Sequence, residues 1–95
     1  MATFFMFGKY SLSALKSVSA DRTRKAENLV TRYQGTIKEM YVLLGDNDLV
    51  LIVDLPGIEE AIKVSTSLTK LTGISFSTSP AISVEDFDIF AQVAE

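Results

Sequence analysis

The chain opens with an apolar and aromatic segment in the two-residue period of a β-strand. Within Ala2–Tyr10, Phe5 and Phe7 share one parity. Phe4 and Met6 share the other, so both faces of the strand are apolar. Such a strand is typical of the centre of a sheet, where both faces are covered. We therefore predict a central first strand.

Apolar residues then recur at helical spacing, in two stripes separated by a polar stretch at residues 19–22. The stripes are Leu12, Leu15 and Val18, and then Ala26, Leu29, Val30 and Tyr33. We expect a kink or short break between them, with Asp21 capping the second part. Gly35 is expected to end the helix as its C′ residue.

Two further strands, Thr36–Leu44 and Asp48–Leu55, flank the turn residues Gly45-Asp46-Asn47 and predict a β-hairpin. A third helical pattern follows and ends at Gly73, with apolar positions at Ile58, Ala61, Ile62, Leu68 and Leu71. The serine-rich segment Ile74–Ser79 predicts an edge strand, which Pro80 closes. Ser83 begins a capping-box variant and a short helix that bears Phe87 and Phe90.

This order of elements predicts an α+β fold of the ferredoxin-like βαββαβ type. Right-handed crossovers place two helices on one face of an antiparallel sheet with strand order 4-1-3-2. The short C-terminal helix is an addition to that plan. The length fits a single domain over residues 1–95.

The sheet face without helices is expected to be apolar as well. If Leu44 pairs with Leu49, the helix-facing side of the hairpin carries Leu44, Val42, Met40, Leu49, Leu51 and Val53. The other side carries Leu43, Tyr41, Glu39, Val50, Ile52 and Asp54. A monomer rarely exposes a contiguous apolar patch beyond ~300–600 Å². We therefore expect a second copy to cover this face, sheet against sheet. The alternative is a monomer whose C-terminal segment folds under the sheet.

The composition removes several chemistries. The chain has no cysteine and no histidine, so thiolate, zinc and Ser-His-Asp chemistry are excluded within one chain. We expect no metal site and no cofactor. The apolar start is too short for a signal-peptide core, and no apolar run approaches the ~20 residues of a membrane span. A cytoplasmic protein without a membrane partner is the expectation.

The net charge of −3 conceals an asymmetry. Residues 1–38 carry seven Lys/Arg and two acids, whereas residues 39–95 carry two Lys and ten acids. Halves of opposite charge are expected to complement each other, within the chain or across a dimer, rather than to bind nucleic acid.

Three segments resemble the GYD domain family. They are ATFFMFGKY at residues 2–10, DRT at residues 21–23 and GDNDLVLIVD at residues 45–54, and the similarity extends to Glu85-Asp86-Phe87. Gly45 and Asp48 match the motif that names the family, but Asn47 stands where the family has tyrosine. The resemblance implies a dimeric α/β barrel, in which two ferredoxin-like sheets face each other. It implies no established activity.

Glu39 and Asp54 would lie directly opposite each other in the assumed register. Like charges at that spacing raise the pKa of one carboxyl, which suits a general acid/base or a cation site. The alternative is that both acids lie at the sheet rim and are neutralised by Lys38, Arg22 or a partner subunit.

Arg22, Arg24 and Lys25 form the densest basic cluster and are expected either to hold an anion or to form a solvated helix face. Asp46-Asn47-Asp48 lacks the glycine and distal glutamate of a calcium loop and fits a turn. If the helix break lies beside this hairpin, Asp48 is expected to orient Arg22. Tyr10 and Tyr41 need hydrogen-bond partners if they are buried.

Three hypotheses follow. The first is a homo-oligomeric protein that binds a small molecule between facing sheets. Its site would be lined by Tyr10, Arg22, Tyr41 and Asp54. The second is a cofactor-free enzyme, an isomerase or a monooxygenase-like protein, with Glu39 or Asp54 as the base. The third is a purely structural or interaction module.

Overall fold

A computed structural model describes residues 1–94 and shows four strands and four helices. The strands are β1 (Ala2–Tyr10), β2 (Thr36–Val42), β3 (Leu49–Leu55) and β4 (Ile74–Ala81). The helices are α1 (Leu12–Lys16), α2 (Ala20–Arg32), α3 (Ile58–Thr72) and α4 (Val84–Ala94). All strand pairs are antiparallel, in the order β2-β3-β1-β4. The predicted α+β fold and strand order are confirmed.

The hydrophobic core lies between one face of the sheet and the helices α2 and α3. The strands contribute Phe4, Met6, Leu51, Val53 and Leu55 to it. The helices contribute Leu29, Val30, Ala61, Val64 and Leu68. The opposite sheet face, which we call the open face, has no layer of helix on it. It carries Phe5 and Phe7 of β1, and Val50 and Ile52 of β3.

The polar stretch at residues 19–22 is a full break between α1 and α2. The Ser19 hydroxyl accepts a hydrogen bond from the Arg22 backbone N–H at 3.0 Å, so Ser19 is the N-cap of α2. The prediction that Asp21 caps this helix is wrong, since Asp21 lies in its first turn. The first apolar stripe is also misassigned, because α1 buries only Ala14 and its leucines are exposed.

Gly35 does not have the left-handed conformation expected of a C′ residue. Gln34 takes that conformation instead, with φ of 64°. Gly35 is required for a different reason. A Cβ at this position would lie 2.4 Å from Leu55 Cδ2 and 2.8 Å from the Asp54 carbonyl oxygen. The chain therefore passes against β3 at a distance that only glycine permits.

The register of the hairpin is shifted by two residues from the predicted one. The Leu43 N–H donates to the Asp48 carbonyl at 2.8 Å, and Val42 pairs with Leu49, so Leu44 belongs to the loop and is fully exposed. Between Glu39 and Val42 the register differs from the prediction by two residues, so these residues keep their predicted faces.

The edge strand β2 is poorly covered by the helices. Ile37 packs against the core, but Met40 and Val42 are 37% and 76% exposed on the same side of the sheet. The prediction that the helix-facing side of the hairpin is covered therefore holds for β3 and fails for most of β2.

The C-terminal half follows the predicted order. Gly73 ends α3 in the left-handed conformation, with φ of 75°. The strand β4 continues through Pro80 to Ala81, which is possible because β4 lies at the sheet edge. The Ser83 hydroxyl accepts from the Asp86 N–H at 3.0 Å and caps α4. No helix among residues 1–94 is long and apolar enough to cross a membrane.

The helix α4 does not fold under the sheet. Its aromatic side chains Phe87 and Phe90 are 59% and 58% exposed. The alternative of a monomer that covers its own open face is therefore wrong for the part of α4 whose side chains the structure describes.

Candidate functional site

The open face is organised in rows that run across the strands. One row contains Tyr41, Val50, Phe7 and Ser77, and the next contains Glu39, Ile52, Phe5 and Ser79. The Phe5 and Phe7 rings lie 6.3 Å apart between centroids. The centre of the face is thus apolar, whereas its β4 border is lined by serine hydroxyls.

Glu39 and Asp54 lie on the open face but not opposite each other. Glu39 pairs with Ile52, because the hairpin register differs by two residues from the assumed one, and a bulge between Ile37 and Glu39 then pairs Asp54 with Thr36. The direct carboxylate pair that the assumed register predicted does not exist.

Asp54 has partners of its own. Its Oδ1 accepts from the Thr3 hydroxyl at 2.8 Å, and its Oδ2 lies 3.9 Å from Lys38 Nζ. The bulge allows the second contact, because Lys38 is the extra residue on β2. Neutralisation by Lys38, one of the alternatives considered from the sequence, is what the structure shows.

Tyr41 and Glu39 interact with each other at the exposed edge of the face. The Tyr41 hydroxyl donates to Glu39 Oε2 at 3.2 Å. The pKa of Tyr41 is raised above its ordinary value of 10.0, first by this hydrogen bond and then by the charge of the carboxylate. Tyr41 therefore stays protonated at neutral pH, and its hydroxyl proton is already donated to Glu39.

An open groove of about 900 Å³ lies between the open face and the start of α4. We call it the open-face groove, and its lining includes Thr3, Phe5, Lys38, Ile52, Ile82 and Asp86. Its floor is apolar, and it brings one cationic and one anionic side chain to its walls. Thr3 was not singled out in the sequence. Thr3 lies two residues before Phe5 on the same strand, so the alternation of side chains along β1 could have placed both on this face.

Tyr10 and Arg22 lie on the other side of the sheet. They line a pocket of about 70 Å³, the helix-side pocket, together with Thr23, Leu51, Leu68 and Phe76. The Arg22 Cζ lies 5.9 Å from the centroid of the Tyr10 ring. Tyr10 and Arg22 are therefore separated by the sheet from Tyr41 and Asp54. The four residues do not line one site within a single subunit.

Asp48 stabilises the hairpin against β1 and has no contact with Arg22 of the kind expected. Its Oδ2 accepts from the Tyr10 N–H at 2.9 Å, and its own N–H donates to the Gly8 carbonyl at 2.8 Å. The turn interpretation of residues 46–48 agrees with this geometry.

Several solved structures share this fold, and two of them are regulatory proteins by name. A leucine response regulatory protein from Mycobacterium tuberculosis has a TM-score of 0.58 and 7% identity, over 86% of this chain and 51% of that chain. An AsnC family transcriptional regulator from Agrobacterium tumefaciens has a TM-score of 0.58 and 20% identity, over 86% of this chain and 50% of that chain. At these identities the likeness shows the fold alone. This chain spans about half the length of each regulator.

No curated protein matches the chain by sequence. The GYD domain, in contrast, matches residues 4–91, which include both strands of the hairpin and nearly all of the residues around the two cavities. The match confirms the resemblance found in the sequence, although Asn47 departs from the motif that names the family. The chain belongs to the GYD domain family.

Proposed function

We propose that the protein is a homo-oligomer that binds a small molecule between the open faces of two subunits. One observation carries the proposal. The open face has an apolar centre with no helix on it, and its residues Phe5, Phe7 and Ile52 are only half-buried. An apolar sheet face of this kind is stabilised when a second layer removes it from water.

Other exposed apolar side chains surround this face. Tyr41 lies on β2, Leu44 stands at the hairpin tip, and Phe87 and Phe90 lie on α4. A second subunit placed on the open face would have these residues at its border. They would extend the apolar contact beyond the open face itself, as suits a homodimer interface that is large and apolar.

The open-face groove supports the ligand part of the proposal. Its volume of about 900 Å³ lies within the range of roughly 300–1,000 Å³ that is typical of ligand sites. A facing subunit would close it. The apolar floor at Phe5 and Ile52 suits an apolar part of a ligand, and Lys38 and Thr3 offer donors beside it. Asp54 holds both donors in place.

The comparisons agree with a ligand-responsive protein. Two of the solved structures with this fold are regulators by name, and one of them is named for its response to leucine. From these regulators we transfer to this chain only the recognition of a small molecule. A nucleic-acid partner is not proposed, because this chain has a net charge of −3.

The self-association is tested by a matched pair of variants, Ile52→Lys on the open face and Ile62→Lys on α3. Light scattering coupled to gel filtration and native mass spectrometry report the mass of each. We expect an oligomer for the wild type and for Ile62→Lys, because Ile62 is 62% exposed and lies away from the open face. Ile52→Lys should be a folded monomer, since burying a lysine between two sheets is costly.

A monomeric wild type at micromolar concentration would contradict the proposal, and so would equal masses for the two variants. The ligand is tested by native mass spectrometry of protein purified from its own host. We expect an adduct of constant mass on the wild type that is absent from Ile52→Lys. An oligomer with no adduct would leave the assembly in place and reject the small molecule.

A further inference from the structure

We propose that the helix-side pocket is a second site, which binds a small carboxylate with a short apolar tail. All of its lining residues come from one subunit. The inference therefore does not depend on self-association, and it goes beyond the ligand proposed for the open face.

The first argument is the state of Arg22. Its Nη1 donates to the Ala14 carbonyl at 2.6 Å, which fixes the guanidinium between α1 and α2. Its Cζ lies 5.9 Å from the Tyr10 ring centroid, within the range of a cation–π contact. The side chain is only partly exposed, and no acidic side chain among the described residues forms an ion pair with it. A positioned guanidinium with donors to spare is suited to an anion from outside the chain.

The acid next to Arg22 in the sequence and the acid bonded to the backbone of Tyr10 are otherwise engaged. Asp21, its neighbour in sequence, lies 3.3 Å from Arg24 and 3.3 Å from Lys25. Asp48 accepts from the backbone N–H of Tyr10. These two carboxylates are therefore bound elsewhere, and the positive charge of Arg22 at the pocket rim stays available to a ligand.

The second argument is the contrast between rim and floor. The rim holds the Arg22 guanidinium and the hydroxyl-bearing side chains of Tyr10 and Thr23. The floor is formed by Leu51, Leu68 and Phe76 and by other apolar side chains. A carboxylate would therefore lie on Arg22 at the rim, with its apolar tail on the floor.

The volume limits the size of that tail. The pocket holds about 70 Å³, whereas one water needs roughly 10–15 Å³ in the same measure. The space suits on the order of five water-sized groups, and so a short aliphatic acid rather than a nucleotide or a lipid. Inorganic phosphate would pair with Arg22 but leave the apolar floor in contact with water, so it should bind more weakly than a short acid.

The probes are sodium butyrate, the neutral isostere butyramide and inorganic phosphate. Each is titrated into the uniformly ¹⁵N-labelled full chain at constant ionic strength, with amide shifts followed by NMR. We expect saturable shifts with butyrate at Tyr10, Thr23 and Phe76. Butyramide should bind at least about tenfold more weakly, the loss expected when a hydrogen bond between charged partners is missing. Phosphate should also bind more weakly than butyrate, because it leaves the apolar floor in contact with water.

Two arginines two positions apart provide the matched control. Arg22→Gln should weaken butyrate binding by about tenfold or more, whereas Arg24→Gln, at an exposed position, should leave it unchanged. Arg22 also donates to the Ala14 carbonyl, so Arg22→Gln changes the local structure as well as the charge. An Arg22→Lys variant separates the two effects: it keeps the charge and should lose less affinity than Arg22→Gln. The open-face variant Ile52→Lys should bind butyrate as the wild type does.

Four results would overturn the inference. They are equal binding of butyrate and butyramide, tighter binding of phosphate than of butyrate, equal losses in Arg22→Gln and Arg24→Gln, and loss of butyrate binding in a folded Ile52→Lys variant. The last result would show that the pocket is not complete within one subunit, and it would leave the proposal for the open face intact.

Discussion

At the scale of single residues, the bulge in β2 determines the charge pattern of the open face. Lys38 is the extra residue, and its Nζ comes within 3.9 Å of Asp54. Without the bulge, the register of Glu39–Val42 would place Ile37 opposite Asp54 on the open face, whereas Glu39 would face Ile52 in either case. The proposed ligand site therefore contains an acid that is already paired with a lysine and a threonine, which makes Asp54 better suited to positioning those donors than to proton transfer.

At Gly35, the addition of a single methyl group should disturb the packing of the core. We predict that Gly35→Ala lowers the free energy of unfolding by about 1–3 kcal/mol, the usual cost of overpacking a filled core. The added methyl would lie 2.4 Å from Leu55 Cδ2 and 3.0 Å from Val30 Cγ1. Urea unfolding followed by circular dichroism measures the change.

The matched control is Gly57→Ala. A Cβ on Gly57 meets only Glu60 Oε1, at 3.5 Å, and the backbone there is extended. This variant should stay within about 0.5 kcal/mol of the wild type. If both variants lost the same stability, the close approach of Gly35 to β3 would not be the cause.

At the scale of elements, side-chain caps divide the chain into helices more sharply than the apolar pattern does. Ser11, Ser19 and Ser83 each accept a hydrogen bond from a backbone N–H three residues on. The cap at Ser19 turns one expected long helix into α1 and α2. That break brings Ala14 O within reach of the Arg22 guanidinium, so it also positions an arginine that lines the helix-side pocket.

We predict that Ser19→Ala destabilises the protein by about 1 kcal/mol, because the first turn of α2 loses its acceptor. The matched control is Ser13→Ala, an exposed position in α1 whose hydroxyl makes no hydrogen bond within the described part of the chain. That variant should be neutral or slightly stabilising, since alanine is the better helix former. Thermal unfolding of the two variants side by side is the measurement, and the opposite ranking would contradict the cap assignment.

At the scale of the whole molecule, the core of one subunit leaves much apolar surface unused. Among the described residues, thirteen apolar side chains are buried and sixteen large ones are exposed. The charges of the basic first part and the acidic second part are also only partly paired with each other among the described residues. Lys38 and Asp54 form an ion pair between the basic first part and the acidic second part, while Asp21 pairs with lysine and arginine of its own helix. Both features fit a subunit that completes its surface in an assembly.

This leads to a prediction about concentration. If folding is coupled to self-association, the unfolding midpoint of the wild type in urea should rise with protein concentration. The midpoint of Ile52→Lys should not change over the same range, whereas that of Ile62→Lys should follow the wild type. A wild-type midpoint that is independent of concentration would argue against coupled assembly.

Much of the fold followed from the sequence because it depends on local patterns. Period-two and helical spacing identified the strands and helices, and Gly73 and Ser83 marked real helix boundaries. The faces of β1 and β3 were also predicted correctly, since strand parity survives a register shift of two residues. The GYD resemblance was found from the same segments and is confirmed over residues 4–91.

The sites depended on information that the sequence does not carry locally. The bulge at Lys38 cannot be read from an alternating pattern, yet it decides which side chains meet Asp54. The sequence alone determined which residues form strands and helices and which strand faces are apolar, because alternation and capping act between near neighbours. Only the tertiary structure decided that Tyr10 and Arg22 lie across the sheet from Tyr41 and Asp54, because that placement depends on where distant segments come together.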